Sequence, residues 1–100
     1  MRVIICGGGQ VGYSIASYLS QENNDVTVID IDPDTVANIN NELEANGMVG
    51  HASNPEILYN AGANDADLVI AVTHQDEVNM VACQVAHSLF NVPKKIARIR

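Results

Sequence analysis

Basic residues are scarce in this chain. Its 100 residues include five lysines and arginines against twelve aspartates and glutamates, which gives a formal net charge of −7. Such a balance argues against binding to nucleic acid or to an anionic membrane surface through general electrostatics. Four of the five basic residues lie in the last seven positions. An incoming phosphate would therefore depend on backbone N–H groups and a few arginines.

Long hydrophobic runs and cysteines are also few. No apolar run approaches the roughly twenty residues of a membrane-spanning helix, so we expect no membrane insertion. Without a signal-peptide pattern, we expect a cytoplasmic chain. The two cysteines, Cys6 and Cys83, stand in apolar patterns and form no Cys-x-x-Cys or Cys/His cluster. The sequence therefore predicts two reduced core residues and no metal site.

The clearest motif that is present is a glycine-rich run directly after an apolar stretch. The run reads Gly7-Gly8-Gly9-Gln10-Val11-Gly12 and opens a helical pattern. A strand before and a helix after are the context that a dinucleotide-binding fingerprint requires. We expect Gly7 to make the tight turn, Gly9 to let the backbone approach a pyrophosphate, and Gly12 to let the helix pack closely on the sheet. The N–H groups of that helix N-terminus would face the phosphates.

An acidic residue completes the fingerprint. Asp30 ends an apolar run and stands eighteen residues after Gly12. A carboxylate at this position accepts hydrogen bonds from the ribose hydroxyls of an adenosine and repels a 2′-phosphate. The sequence therefore predicts that NAD(H) binds far better than NADP(H). Asp32 precedes Pro33 and is interpreted as a helix cap that could also line the adenine side.

Strand and helix patterns alternate along the whole chain. Such alternation predicts a three-layer α/β/α Rossmann-like fold, a doubly wound parallel sheet with strand order 3-2-1-4-5. We expect helix four to turn Val78, Val81, Ala82, Val85 and Leu89 toward the core. The predicted strands are Arg2–Cys6, Asp25–Asp30, Met48–Gly50, Leu68–Val72 and Lys95–Ile99. The predicted helices are Gln10–Ser20, Pro33 to about Glu44, Pro55–Ala61 and Gln75–Phe90, with Asn46-Gly47 ending the second.

Other strand ends should complete the pocket, because ligands of this fold bind outside the carboxyl ends of the strands. His51, Ala52 and Ser53 follow strand three, and Ala71, Val72, Thr73 and His74 close strand four. Thr73 could cap helix four, contact ligand, or do both. Asp76 and Glu77 fall in the first turn of helix four, where carboxylates stabilise the helix dipole.

Catalytic signals are absent from the sequence. No tyrosine is followed four residues later by a lysine, and neither a proton donor nor a substrate pocket is evident. We therefore expect a domain that binds nucleotide as a signal and is not an enzyme. Two alternatives stay open at this point: the cofactor-binding half of an NAD-dependent dehydrogenase, and a methyltransferase-like domain that binds S-adenosylmethionine.

The whole chain resembles the nucleotide-binding TrkA-N (RCK N-terminal) family of Trk potassium-uptake regulatory subunits. The resemblance is carried by five segments. They are Ile5–Gly12, Val26–Asp30, Gly50–Pro55, Ala61–Asp67 and the long segment from Ala71 to Arg100, which includes Asp76-Glu77-Val78-Asn79-Met80-Val81-Ala82-Cys83. Many relatives have Asp where this chain has His51.

The resemblance implies a cytoplasmic subunit that binds NAD(H), with ATP, ADP or AMP as further ligands. It implies a homo-oligomeric ring docked at the inner face of the cell membrane under an integral-membrane potassium transporter subunit of the Trk type. It also implies one NAD-binding domain over residues 1–100 that is part of a longer chain. Gly7 to Val11 would hold the phosphates, Asp30 with Ile31 the adenosine side, Thr73 and His74 the nicotinamide side, and Arg98 a phosphate or a neighbouring face. We expect Asp76, Glu77, His74 and Arg98 to distinguish nucleotides of different charge.

Overall fold

Five strands and four α-helices alternate along the chain, as the sequence predicts. The computed structural model describes all residues from Met1 to Arg100. The strands are β1 (Arg2–Cys6), β2 (Asp25–Asp30), β3 (Asn46–Val49), β4 (Leu68–Ala71) and β5 (Lys94–Ala97). The helices are α1 (Gln10–Gln21), α2 (Pro33–Glu42), α3 (Pro55–Asn60) and α4 (Asp76–Phe90), with a 3-10 turn at Ala63–Asp65. None of these helices is both long enough and apolar enough to cross a membrane.

The strands form one all-parallel sheet in the order β3-β2-β1-β4-β5. This order confirms the predicted topology and the Rossmann-like fold class. Between β1 and β4 the winding direction reverses, and the carboxyl ends of these two strands face the same edge. A cleft opens at such a reversal because the connections leave the sheet on opposite faces.

Two hydrophobic clusters, one on each face of the sheet, bury β1 from both sides. Val3 and Ile5 belong to a cluster that includes Val26, Val28, Ala16 and Ile39. Ile4 and Cys6 belong to the other cluster, with Val69, Ala71, Leu58, Ala82 and Ala86. Successive strand residues point to opposite faces, so an unbroken apolar strand is what a sheet covered on both faces requires. Both clusters therefore fix β1, and with it the start of the glycine turn.

The predicted starts of α2 and α3 are confirmed. Asp32 accepts a hydrogen bond from Asp34 N–H at 3.0 Å, and Asn54 accepts one from Glu56 N–H at 2.9 Å. A proline at the first helical position follows each cap. A side-chain acceptor satisfies one of the free N–H groups of a helix start, and proline lacks the N–H that would otherwise be unpaired there.

Other boundaries differ from the predictions, three of them by two residues and the rest by one. Helix α2 ends at Glu42, and Asn46-Gly47 belongs to β3 instead of ending the helix. The side-chain oxygen of Asn40 accepts a hydrogen bond from Gly47 N–H at 2.7 Å. This bond connects α2 to β3, and Asn46 and Gly47 pair with β2 at the edge of the sheet. The last strand runs over Lys94–Ala97 and stops before Ile99.

The buried face of α4 also differs from the prediction. The helix buries Asn79, Ala82 and Ala86, whereas Val81 and Leu89 are 45% and 59% exposed. Alanines at the contact let the helix axis approach the sheet closely, so larger side chains move to the flanks or outward. A single buried polar residue, Asn79, thus lies where the sequence predicts an apolar stripe.

Both cysteines are free thiols, as the sequence predicts, although Cys83 is only partly buried. Cys6 is fully buried, and burial raises the pKa of its thiol from 9.0 to about 12, with a smaller effect of the nearby Cys83. Burial also raises the pKa of Cys83. Each thiol therefore has a higher pKa in the folded chain than in the unfolded chain. Its contribution to the free energy of unfolding is complete at pH values below the unfolded pKa, and it is lost as the pH rises through the folded pKa.

We expect iodoacetamide at about pH 8 to leave Cys6 unmodified in the folded chain, because the thiolate is the reactive species and the thiol is inaccessible. Peptide mass spectrometry after alkylation measures this directly. In concentrated urea, both cysteines should be alkylated. Modification of Cys6 in the folded chain as fast as in urea would contradict this burial.

Candidate functional site

A cavity of about 680 Å³ lies at the carboxyl edge of the sheet, at the reversal between β1 and β4. The loops after all five strands contribute to its wall. Most of the predicted site residues line this cavity, namely Gly7, Gly9, Gln10, Val11, Asp30, Ile31, His51, Ala52, Val72, Thr73, His74 and Arg98. The topology therefore brings together residues that are far apart in sequence.

Five predicted residues lie beside the cavity instead of in its wall. Gly8 and Gly12 are buried within the turn and helix α1, and Ala71 is buried at the end of β4. Ser53 is half-buried in the loop after β3, and Glu77 is exposed on α4. Nucleotide contact stays a prediction for all the predicted site residues, whereas the structure makes a steric role explicit for Gly12.

Seven further residues line the cavity. Asp32 is one of them, as the sequence allowed, and the six that were not predicted are Ile29, Thr35, Gly50, Gln75, Val78 and Arg100. Gly50 and Gln75 flank predicted residues, so the strand-end rule could have included them. Arg100 follows β5, and its sequence neighbours give no signal that it turns back toward the cavity. No three His, Cys, Asp or Glu side chains lie close enough together to hold a metal ion.

The glycine turn passes against the loop after β4. Gly7 has a φ of +106°, a conformation that L side chains rarely adopt. A Cβ at Gly7 would lie 3.0 Å from the carbonyl oxygen of Val72 and from the N of Thr73. At Gly12, a Cβ would collide with the carbonyl oxygen of Gly7. Both glycines are therefore required for the close approach of the turn, helix α1 and β4, as the fingerprint predicts.

The N-terminus of α1 opens at this turn. The first backbone hydrogen bond of the helix runs from Tyr13 N–H to the Gly9 carbonyl, at 2.8 Å. Gly9 is the N-cap residue and has no side chain that could accept a hydrogen bond. The N–H groups of the first turn therefore have no partner within the helix. The imidazole Nε2 of His74 lies 3.7 Å from the Cβ position of Gly9. The His74 side chain thus lies close to the N-terminus of α1, and both line the cavity.

Asp30 joins the end of β2 to the glycine turn. One carboxylate oxygen accepts a hydrogen bond from Gly8 N–H at 2.7 Å, and the other accepts one from Asp32 N–H at 2.9 Å. A carboxylate has about four acceptor positions, so two remain for hydroxyl donors. The predicted role as ribose acceptor is sterically open, and the bond to Gly8 is an additional role that the spacing did not predict.

Thr73 holds the opposite wall through backbone and side-chain bonds. Its N–H and its hydroxyl both donate to the Asn79 side-chain oxygen, at 2.8 and 2.7 Å. Its hydroxyl oxygen also accepts from Gln75 N–H at 3.2 Å. The N-cap position of α4 is Gln75, so Thr73 belongs to the turn that leads into the helix and is not its cap.

Two arginines that follow β5 bind the same loop from the β5 side of the cavity. The Arg98 guanidinium donates to the carbonyls of Val72 and Thr73, each at 2.9 Å, while its Nε is buried without a partner. Arg100 donates from its side chain to the His74 carbonyl and from its backbone N–H to Asp76. Arg100 Nε also lies 3.6 Å from an Asp76 carboxylate oxygen. Asp76 therefore has an ion-pair partner in addition to its favourable position in the helix dipole.

Charge is divided between the two ends of the cavity. Asp30 and Asp32 stand at the end of β2, whereas His74, Arg98 and Arg100 belong to the β4 and β5 side. In the strand order, β2 and β5 are three strand spacings apart, or about 14 Å. The acidic end suits neutral hydroxyl donors, and the glycine turn with the cationic side suits an anionic group.

Comparison with known proteins shows which family the chain resembles. The sequence model of the TrkA-N domain family matches residues 3–100. The chain is also 56% identical, over 100 residues, to the Trk system potassium uptake protein TrkA of Azorhizobium caulinodans. That match covers 100% of this chain and 22% of the relative, so the chain spans about a fifth of the length of the protein it resembles.

Solved structures share the fold. The TrkA-N domain of the inner membrane protein ybaL from Escherichia coli superposes with a TM-score of 0.83 at 21% identity, over 97% of this chain and 71% of that one. The Shewanella denitrificans Kef CTD in AMP bound form gives a TM-score of 0.81 at 24% identity, over 96% of this chain and 57% of that one. At these identities the comparisons establish the fold alone.

We expect Asp30→Ala to lower the free energy of unfolding by about 1–3 kcal/mol, because the partly buried Gly8 N–H loses its acceptor. Asp30→Asn, which keeps an oxygen acceptor, should lose less. Urea denaturation followed by circular dichroism measures both. Asp25→Ala is the matched control, since Asp25 is an exposed carboxylate on the same strand whose partner is a surface arginine. Equal losses for Asp30→Ala and Asp25→Ala would contradict a structural role of the Gly8 bond.

Proposed function

Because this chain belongs to the TrkA-N domain family, we propose that it is a nucleotide-sensing regulatory domain of a potassium uptake system. Its ligand is NAD(H), with ATP, ADP or AMP as alternative ligands of the same cavity. The observation that carries the proposal is the hydrogen bond that holds Asp30, at the end of β2, beside the glycine turn, with its remaining acceptor positions at the cavity.

Each part of a dinucleotide has a counterpart in the wall. The adenosine ribose hydroxyls donate to Asp30 beside Ile31, and the phosphates lie over Gly9, Gln10 and Val11 at the N-terminus of α1. The distal half of the ligand extends toward the loop that contains Thr73 and His74. AMP, which is bound in the Kef structure similar to this chain, would occupy the adenosine half alone.

Selectivity against NADP(H) follows from the charge at the end of β2. A 2′-phosphate would meet the carboxylates of Asp30 and Asp32, whereas the arginines of the cavity lie on the side of β5. Two like charges at hydrogen-bond distance repel, and no cation at this end compensates for them. NAD(H) is therefore the ligand that we propose in preference to NADP(H).

Regulation requires the ligand to distinguish two arrangements of the assembly. A nucleotide shifts transport only if its affinity differs between those arrangements. The name of the relative from Azorhizobium caulinodans supports a role in potassium uptake. We propose that copies of the domain assemble as a ring at the cytoplasmic face of the membrane, against a membrane-embedded transporter subunit, and that the output is ion transport instead of hydride transfer.

Isothermal titration of the chain with NAD⁺, NADH, NADP⁺, ATP, ADP, AMP and S-adenosylmethionine tests the proposal. We expect NAD⁺ to bind, NADP⁺ to bind at least about tenfold more weakly, and Asp30→Asn to narrow that difference because one repelling charge is removed. Asp34→Asn is the matched control, since Asp34 is an exposed carboxylate in the first turn of α2 and does not line the cavity.

Two outcomes of this titration would count against the proposal. Binding of S-adenosylmethionine in place of every adenine nucleotide would favour the methyltransferase-like alternative. Loss of selectivity to the same extent in Asp34→Asn and Asp30→Asn would show that overall charge, and not the carboxylate at the end of β2, discriminates the ligands.

A further inference from the structure

Asn79 is the one fully buried polar side chain of the molecule. It lies in the second turn of α4, and helical side chains point back toward the N-terminus of their helix, so it reaches the loop that precedes α4. Its oxygen accepts from Thr73 N–H and from the Thr73 hydroxyl. Its nitrogen donates to the Thr73 carbonyl at 3.1 Å and to the Arg98 carbonyl at 2.9 Å. These four bonds use the full capacity of a side-chain amide.

The segment that Asn79 holds forms one wall of the cavity. The Val72–Thr73 peptide lies against Gly7, where any Cβ would be at 3.0 Å, so its position and that of the glycine turn depend on each other. The carbonyls of Val72 and Thr73 also accept from the Arg98 guanidinium. Asn79 therefore joins the loop after β4 directly to the end of β5. Through the contact with Gly7 it is also linked to the turn after β1, so three segments that lie far apart in sequence are connected.

This wall faces the part of the cavity that lies away from Asp30. In the strand order, β4 is separated from β2 by β1, and the adenosine end of a nucleotide belongs to β2 in this fold. His74, which follows Thr73 directly, extends toward Gly9, and its Nε2 would lie 3.7 Å from a Cβ at that position. A displacement of Thr73 would consequently act most strongly on the wall against the distal phosphate and ribose. It would act less on the Asp30 end, which β2 and the Gly8 bond hold.

We propose that Asn79 is a positioning residue for the distal half of a bound dinucleotide, and that it ties this half of the site to the end of β5. The proposal rests on the nucleotide binding proposed above. Asn79 does not touch the ligand. It fixes the orientation of the Thr73 peptide, and the Thr73 peptide in turn sets the position of His74 and Val72 in the wall.

Substitution of a residue that only stabilises the fold would weaken the binding of all ligands to the same extent. Two ligands of different length therefore distinguish a positioning role from a purely structural role. AMP reports on the Asp30 end, and NAD⁺ reports on both ends. The variant Asn79→Asp keeps the size and the acceptor oxygen, and replaces the donor by an oxygen that faces the Thr73 and Arg98 carbonyls. We expect Asn79→Asp to weaken NAD⁺ binding at least about tenfold, and AMP binding by less than about threefold.

Val85→Ala is the matched control, because Val85 packs on the core from the same helix and does not line the cavity. It should lower the melting temperature and leave the ratio of the NAD⁺ and AMP affinities unchanged. Should Asn79→Asp fail to fold, Asn79→Ser, which removes the long amide without adding charge, replaces it with the same expected change in ratio.

Equal weakening of NAD⁺ and AMP, or no weakening of either, in the folded variant would overturn the proposal. Failure of the unsubstituted chain to bind either nucleotide would instead contradict the proposed function itself. The titration of the unsubstituted chain thus distinguishes the two failures.

Discussion

The hydrogen bond from Gly8 N–H to the Asp30 carboxylate organises the cavity. It joins the turn after β1 to the end of β2, and it does so with an acid whose remaining lone pairs are free for ligand donors. The turn can lie there only because Gly7 adopts a positive φ and because Gly12 brings α1 against the Gly7 carbonyl. One carboxylate therefore shapes the phosphate-binding turn and, in the binding mode that we propose, receives the ribose.

In the opposite wall of the cavity, a neutral side chain, that of Asn79, connects two segments as Asp30 does in the first wall. Asn79 and Arg98 hold the Val72–Thr73 peptide against Gly7 from the other side, through a buried amide and a guanidinium. Unpaired buried polar groups are costly, so each of these partners depends on the others. In the binding mode that we propose, a ligand that displaces the loop after β4 would also displace the segment after β5 through these hydrogen bonds.

The fold and the acidic end of the site could be predicted from sequence because their signals are local. The alternation of strand and helix patterns predicts the strand order, and the glycine run after the apolar β1, with Asp30 at its spacing, predicts the first half of the cavity. The buried face of α4 could not be predicted from hydrophobicity, since Ala82 and Ala86 are small and Asn79 is polar. The positions of Asn79 and Arg100 depend on bonds between distant segments, and no periodicity encodes those bonds.

The most direct test of the central claim is a ¹⁵N–¹H correlation spectrum of the chain during titration with NAD⁺. If the phosphates lie at the α1 N-terminus and the ribose at the end of β2, the amides of Gly9, Gln10, Val11 and Ile31 should show the largest shifts. Unchanged amides at these four positions, with shifts confined to the outer faces of the helices, would contradict this placement of the nucleotide.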